Sequence, residues 1–116
     1  MDYTYQGEIV RFVDGDTVDM SVTKVTDFGF GLTLNGTYKG RFRLTIVDTP
    51  ERGEPGWAEA TAFCRKYLPI GTKTRVETYK SPDSFGRYLA DIYVPLMGNT
   101  TISSLLLEAG LAEVWK

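Results

Sequence analysis

The chain has 116 residues and a formal charge of −2, and 42% of the residues are hydrophobic, which suits one domain with a single core. It contains no histidine and one cysteine, Cys64, which excludes Ser–His or Cys–His catalysis, an internal disulfide and a thiolate metal cluster. The sequence pI near 5.1 argues against a high-affinity, sequence-independent nucleic-acid binder, because such proteins are normally basic.

The first half of the chain has the pattern of β-strands. Residues 9–13 form an apolar run that Arg11 interrupts, and an Asp-Gly turn follows them. Val18, Met20 and Val22 alternate with polar residues, which is typical of a half-buried strand. Residues 28–31 (Phe-Gly-Phe-Gly) and 35–36 (Asn-Gly) indicate turns, and residues 42–47 predict the next strand.

The second half combines helices with strands. Residues 57–68 carry apolar side chains at three- to four-residue spacing, which predicts a helix that ends before Pro69. Residues 73–80 and 88–94 predict two more strands. Thr101 can cap a second helix over residues 102–109, with Gly110 as its left-handed terminal residue. Five strands and two helices indicate a small closed barrel, of which the OB-fold is one type.

Carboxylates stand where two apolar runs end. Asp16 follows Asp14 and Gly15, and Asp48 follows residues 42–47. Two carboxylates with a backbone carbonyl and waters suit Ca²⁺, which takes six to eight oxygen ligands. The alternative is a tight turn in which Asp16 only hydrogen-bonds nearby backbone.

Glu51 lies three residues after Asp48, close enough to reach a water beside the same cation. Without histidine, a carboxylate is the reasonable general base for activating water. The alternative is structural: Pro50 fixes a turn or helix start, Thr49 or Asp48 caps it, and Glu51 complements the helix dipole.

Arg43 lies inside a predicted strand, and Arg87 follows Phe85 and Gly86 in a predicted turn. Two guanidinium groups that converge on one phosphate would clamp it and stabilise charge that develops in the transition state. Each arginine could equally be a solvent-exposed surface residue.

Aromatic residues make up 13% of the chain. Tyr79 and Tyr88, together with Tyr93 and Trp115, could stack on nucleobases. The alternative is packing in or beside the core, which is the usual position of aromatic residues in a small domain. Cys64, at helical spacing from its apolar neighbours, is most simply a buried small side chain.

Four segments resemble the signature blocks of the staphylococcal nuclease (thermonuclease, micrococcal nuclease) family. They are residues 13–18 (VDGDTV), 43–51 (RLTIVDTPE), 85–90 (FGRYLA) and 106–112 (LLEAGLA), and they occur in the family's order. The resemblance implies a single domain over residues 1–116 with an OB-type five-stranded barrel and helices. This agrees with the pattern of strands and helices above.

The resemblance also implies a role for each matched residue. Ligands to Ca²⁺ would be the carboxylates of Asp16 and Asp48 and the backbone carbonyl of Thr49, with Mg²⁺ or Mn²⁺ less suited. Glu51 would be the general base. Arg43 and Arg87 would bind the scissile phosphate, and Asp14 would lie in the second shell of the metal. The reaction implied is calcium-dependent hydrolysis of DNA or RNA that leaves 3′-phosphates.

The resemblance is incomplete at the positions that the family uses to bind substrate. Residues 83–85 replace a Lys-Tyr pair that binds a terminal phosphate in the best-known secreted member, and the loop between Glu51 and Trp57 is short. The alternative function is a nuclease-like module that binds nucleic acid or protein without cutting it. All six carboxylate and arginine positions are filled, which favours the enzyme.

No apolar stretch approaches the length of a membrane span, and residues 1–6 lack the pattern of a leader peptide. We therefore expect no membrane partner. We favour an intracellular protein, either cytoplasmic or encoded by a phage or mobile element, over a secreted mature form. We expect a monomer or a weak homodimer that covers the apolar surface around Leu111, Val114 and Trp115.

Overall fold

The computed structural model describes residues 3–79 and 88–114. Within these residues the elements follow in the order β1 (Tyr3–Asp14), β2 (Thr17–Gly29), β3 (Leu32–Leu44), β4 (Val47–Asp48), α1 (Trp57–Tyr67), β5 (Lys73–Tyr79), β6 (Tyr88–Ile92), α2 (Ile102–Glu108) and β7 (Glu113–Val114). None of the helices in this part of the chain is long and apolar enough to cross a membrane.

Five of the strands close into a barrel in the order β1-β2-β3-β6-β5, and pairing of β5 with β1 completes the circle. All neighbours are antiparallel except β3 and β6. The short strands β4 and β7 form a separate two-stranded sheet. The expected five-stranded, OB-type barrel with two helices is confirmed for the described residues.

The barrel interior is filled by the apolar side of each strand. Val18, Met20 and Val22 are buried, as their alternation with polar residues predicts, and they face the equally buried Phe12 and Phe42. Helix α1 closes one end of this core with Ala60, Cys64 and Leu68, all buried. Burial of these side chains is the main source of the domain's stability.

Both helices lie where their sequence signals place them. Helix α1 begins at Trp57, and the predicted terminal residue 68 caps it. Thr101 caps α2 because its hydroxyl accepts a hydrogen bond from the Ser104 amide at 3.2 Å. Gly110 follows with φ of 73°, the left-handed conformation expected of it.

One predicted turn is wrong. Asn35 and Gly36 lie inside β3, where they pair with Val25 and Lys24 of β2. The hairpin reverses instead around Phe30, where Gly29, Phe30 and Gly31 all have positive φ. Two flanking glycines supply the left-handed backbone that the reversal needs, and the strands therefore extend past the Asn-Gly pair. The result is a long hairpin that projects from the barrel.

The predicted strand over residues 42–47 is interrupted. Strand β3 ends at Leu44, and Ile46 has φ of 58°, a conformation that a β-branched residue rarely adopts. The chain turns there and leaves the barrel, so that Val47 and Asp48 pair with β7 instead. This interruption directs Asp48 back towards β3.

Helix α1 packs tightly on the turn between β1 and β2. The Cys64 thiol donates a hydrogen bond to the Gly15 carbonyl at 3.3 Å. A Cβ at Gly15 would lie 2.9 Å from both Ala60 Cβ and Thr49 Oγ1. Only glycine permits this approach of the turn to the helix.

We expect Gly15→Ala to lower the free energy of unfolding by about 1–3 kcal/mol, because the added methyl group overpacks this contact. Urea denaturation measures the change. Gly36→Ala is the matched control, since nothing lies within 4 Å of a Cβ there, and its stability should stay within about 0.5 kcal/mol of wild type. Equal effects of the two substitutions would contradict the contact at Gly15.

Candidate active site

Asp16 is a buried carboxylate held from several directions. Its residue is only 4% exposed and lies in the two-residue turn between β1 and β2. One oxygen accepts hydrogen bonds from the Thr49 amide at 3.0 Å and from Arg43 Nη1 at 3.3 Å. The other accepts from the Thr17 hydroxyl at 3.1 Å. These donors compensate the cost of burying the charge and fix the orientation of the carboxylate.

Arg43 joins Asp16 to Asp48. While Nη1 contacts Asp16, Nη2 lies 3.3 Å from Asp48 Oδ1 and 3.4 Å from the Val47 carbonyl. The Arg43 side chain is 14% exposed, whereas that of Asp48 is 58% exposed. The break in the chain at Ile46 makes this possible, because it brings residues 47 and 48 back beside a guanidinium only four or five residues earlier.

A cleft of about 510 Å³ opens beside this ion-pair cluster. Asp48, Thr49 and Pro50 form one wall, and Glu113 of β7 and the segment around Leu111 form the other. The pairing of Asp48 with Glu113 holds the two walls together. The cleft is therefore partly acidic, and two of the predicted site residues, Asp48 and Thr49, line it.

Glu51 is exposed and begins the loop that leads to α1. Its amide donates to Glu54 Oε1 at 2.7 Å, and its carbonyl accepts from the Glu54 amide at 2.9 Å. Both contacts involve the Glu51 backbone, so they fix the conformation of the loop and do not fix the position of the Glu51 carboxylate. Among the contacts described for residues 3–79 and 88–114, none joins that carboxylate to Arg43 or Asp16, so its role as general base stays a prediction.

Asp14 contacts a residue that the sequence did not single out. Its carboxylate accepts a hydrogen bond from Trp57 Nε1 at 2.6 Å, and the Arg52 guanidinium lies 5.1 Å from the centre of the Trp57 indole. Trp57 is the first residue of α1, so Asp14 ties the β1–β2 turn to the end of the loop that carries Glu51. The second-shell role of Asp14 at a metal stays a prediction.

Tyr79 and Tyr88 lie on different sides of the β5–β6 pair. The Tyr79 hydroxyl donates to Asp91 Oδ2 at 2.9 Å, whereas the Tyr88 ring packs edge-on against Tyr38 at 5.8 Å and lies tilted against Phe42 at 6.2 Å. Both also border a groove at the open end of the barrel. Arg87 and Trp115 lie outside the described residues.

A polar network on β5 and β6 was not predicted. The Tyr93 hydroxyl donates to Glu77 at 2.6 Å, and this hydrogen bond, reinforced by burial, raises the pKa of Tyr93. Asp91 accepts from Tyr79 and from the Thr45 hydroxyl. Thr45 lies just before the break at Ile46, so the network anchors the point where the chain leaves β3. The signal in the sequence was only the alternation of polar residues along β5 and β6.

The donor atoms at the cluster suit a hard cation that keeps several waters. Asp16 and Asp48 contribute carboxylate oxygens to one guanidinium, which shows that both carboxylates reach the same place, and Thr49 is adjacent to both. Carboxylate and carbonyl oxygens are ligands that Ca²⁺ prefers. The described part of the chain contains no cluster of three or more Asp, Glu, His or Cys residues with metal-site geometry. Because Ca²⁺ takes six to eight oxygen ligands, waters would fill the positions that two carboxylates and one carbonyl leave open.

We expect Arg43→Met to lower the free energy of unfolding by about 3–5 kcal/mol, because it leaves the buried Asp16 carboxylate without its cation. Asp16→Asn on the Arg43→Met background should recover part of this loss, and a double-mutant cycle in urea measures the coupling. Arg41→Met removes the exposed Arg41–Asp19 pair and should cost about 0.2–1 kcal/mol. Additive single effects at Arg43 and Asp16 would contradict a coupled pair.

Comparison with known proteins identifies a family to which this chain is similar. A family model described as staphylococcal nuclease homologue matches residues 41–116, more than half of the chain. A micrococcal nuclease of Shigella flexneri is 29% identical over 119 residues, covering 97% of this chain and 59% of the relative. An uncharacterized endonuclease of Escherichia coli O157:H7 is 26% identical over 110 residues, covering 95% of this chain and 61% of the relative.

The chain thus spans about three fifths of the length of these relatives. The matched region contains β3 from Arg41 onwards, the break at Ile46, the residues Asp48 and Thr49 that line the cleft, and the predicted site residues Arg43 and Glu51. The family that the sequence motifs resemble is confirmed. On the strength of the family model, this chain belongs to the staphylococcal nuclease homologues.

Proposed function

We propose that this chain is a calcium-dependent nuclease that hydrolyses phosphodiester bonds of DNA or RNA. The observation that supports the proposal most is the cluster of Arg43 with Asp16 and Asp48 at the edge of an open cleft. The relatives named as micrococcal nuclease and endonuclease support the same class of reaction.

The residues proposed to hold the cation are Asp16 and Asp48, through their carboxylates, and Thr49, through its backbone carbonyl. A bound calcium ion supplies Lewis-acid polarisation of a phosphate oxygen. The Thr49 amide already fixes Asp16 from the side of β4, so the proposed ligands are held in place by the fold. Such preorganisation reduces the entropy cost of assembling the site.

Arg43 has two tasks in this proposal. It balances the charge of the two carboxylates, and it donates hydrogen bonds to the scissile phosphate. Contacts with Asp16, Asp48 and the Val47 carbonyl hold its guanidinium in one position before substrate arrives. A preorganised cation stabilises developing negative charge without reorganisation. Arg87 is proposed as the second phosphate ligand on the strength of the motif around it.

Glu51 is proposed to orient the attacking water and accept its proton. The water oxygen forms a bond to phosphorus, and the bond from phosphorus to the 5′ oxygen breaks. The products are a 3′-phosphate and, once the 5′ oxygen has gained a proton, a 5′-hydroxyl. Glu51 is exposed at the entrance of the loop beside Thr49 and Pro50, where substrate and water have access.

The experiment that tests the function is cleavage of single-stranded DNA and RNA with Ca²⁺ added, compared with the same reactions in chelator. We expect cutting that depends on Ca²⁺ and is weaker with Mg²⁺ or Mn²⁺, because the donor set suits a large, water-rich cation. Folding of the protein in each buffer is checked by circular dichroism. Folded protein that cuts nothing with any divalent ion would reject the proposal in favour of a non-catalytic binding module.

We expect Glu51→Gln to lower kcat by about 10²–10⁴-fold, because an amide cannot accept the proton of the attacking water. Its thermal stability should match wild type, since the side chain is exposed. Glu59→Gln, an equally conservative change at an exposed position of α1, is the control and should leave kcat unchanged. Near-normal turnover of Glu51→Gln would show that another group is the base.

A further inference from the structure

The hairpin formed by β2 and β3 extends beyond the barrel with an exposed apolar face. We define the arm as residues 24–36, past the last pairing of β1 with β2 at Thr23. Strand alternation places Phe28, Leu32 and Leu34 on the face that continues the barrel interior, and Phe30 lies at the tip. Phe30 is fully exposed and Leu34 is 64% exposed.

No described strand pairs with the outer backbone edges of the arm. Among the described strands, β1 pairs with β2 only as far as Thr23, and β6 pairs with β3 only from Phe42 onwards. The arm contains just two charged residues, Lys24 and Asp27, and no proline. Exposed edges are normally shielded by charge, proline or a covering element, so a surface of this kind indicates a binding partner.

At the base of the arm, the same face continues into a groove of about 790 Å³. Its walls include Tyr38 and Phe42 of β3, Tyr88 of β6 and Tyr5 of β1, with Lys24 at the rim. Three of these rings pack against one another with centroids 5.8–6.2 Å apart, which makes a firm aromatic wall. The groove is large enough to receive an aromatic side chain.

We propose that this face binds a second copy of the same chain, with the two arms antiparallel and the tip of each arm seated in the partner's groove. The arm and the groove lie in line on one face. A two-fold axis through the middle of the arm, near Thr26 and Leu34, therefore places the tip of each arm in the groove of the partner copy. Such an interface is self-complementary and closes at two copies.

The area and the charges are consistent with this occupant. The exposed fractions of Phe28, Phe30, Leu32, Leu34 and Tyr38 amount to roughly 670 Å² per chain, if a fully exposed large side chain presents about 200 Å². Two copies that bury all of this surface would bury about 1,350 Å², towards the lower end of the range for specific interfaces. Asp27 pairs with Thr33 on the opposite face of the arm, so Lys24 is the one charged residue of the arm that strand alternation places on the apolar face.

A nucleic-acid strand is the less favoured occupant. Phosphate binding depends on clustered Lys and Arg, and the arm offers only Lys24 against Asp27. The inference does not depend on the nuclease proposal, because it concerns the opposite side of β3: Phe42 borders the groove, while the next residue, Arg43, contacts Asp16 and Asp48.

Sedimentation equilibrium over a wide concentration range tests the dimer. We expect wild-type protein to approach twice the monomer mass as concentration rises. Phe30→Ser with Leu34→Ser should raise the dimer dissociation constant at least about tenfold, because central apolar contacts dominate interface energies. Ile70→Ser, at an equally exposed apolar residue away from the arm, is the control and should leave it unchanged. A monomer at every concentration would overturn the proposal.

Cross-linking tests the orientation of the two arms. A cysteine from Thr26→Cys would lie beside its symmetry mate and should give covalent dimer with a short bis-maleimide. Thr33→Cys, on the opposite face of the arm, should not. Cys64 is buried and should not interfere. Equal cross-linking of both variants, or a monomeric wild type whose affinity for single-stranded DNA falls with Phe30→Ser, would overturn the proposal.

Discussion

The site depends on one electrostatic contact, the Arg43 guanidinium between the carboxylates of Asp16 and Asp48. This contact joins the β1–β2 turn, the end of β3 and the strand β4, which belong to two different sheets. Burial of Asp16 makes the contact obligatory, because a charged carboxylate at 4% exposure requires compensation from a cation or several donors. The geometry of the cleft therefore follows from the need to neutralise one buried charge.

Other features of the fold serve that contact. Ile46 adopts a strained left-handed conformation, and this turn brings Asp48 and the Val47 carbonyl within reach of Arg43. Gly15 lets α1 approach the turn that carries Asp16, while the hydrogen bond from Trp57 to Asp14 fastens the start of the helix to the same turn. Strain at Ile46 and close packing at Gly15 are acceptable because both are compensated by the ion pairs that they allow.

The elements that were predicted correctly are determined by residues that are close together in the sequence. The alternation along β2 and the capping of α2 by Thr101 depend on residues a few positions apart, and the structure confirms both. The wrong predictions occur where contacts between residues far apart in the sequence determine the structure. The Asn35-Gly36 pair is a turn signal that strand pairing overrides, and no local rule places a left-handed residue at Ile46. Motifs identified the candidate site residues, but the Trp57 partner of Asp14, 43 positions away, could not be read from them.

The two faces of β3 separate two kinds of interaction. Consecutive residues point to opposite sides of a strand, so Phe42 borders the aromatic groove while Arg43 contacts Asp48, which lines the acidic cleft. Pairing of two copies through the arms would therefore cover the groove and leave both clefts open. An acidic chain has little general attraction for polyanions. If the clefts bind a nucleic-acid strand as proposed, two clefts held in one particle raise the effective concentration of the second site for that strand. Dimerisation would in this way offset the weak electrostatic affinity that the composition imposes.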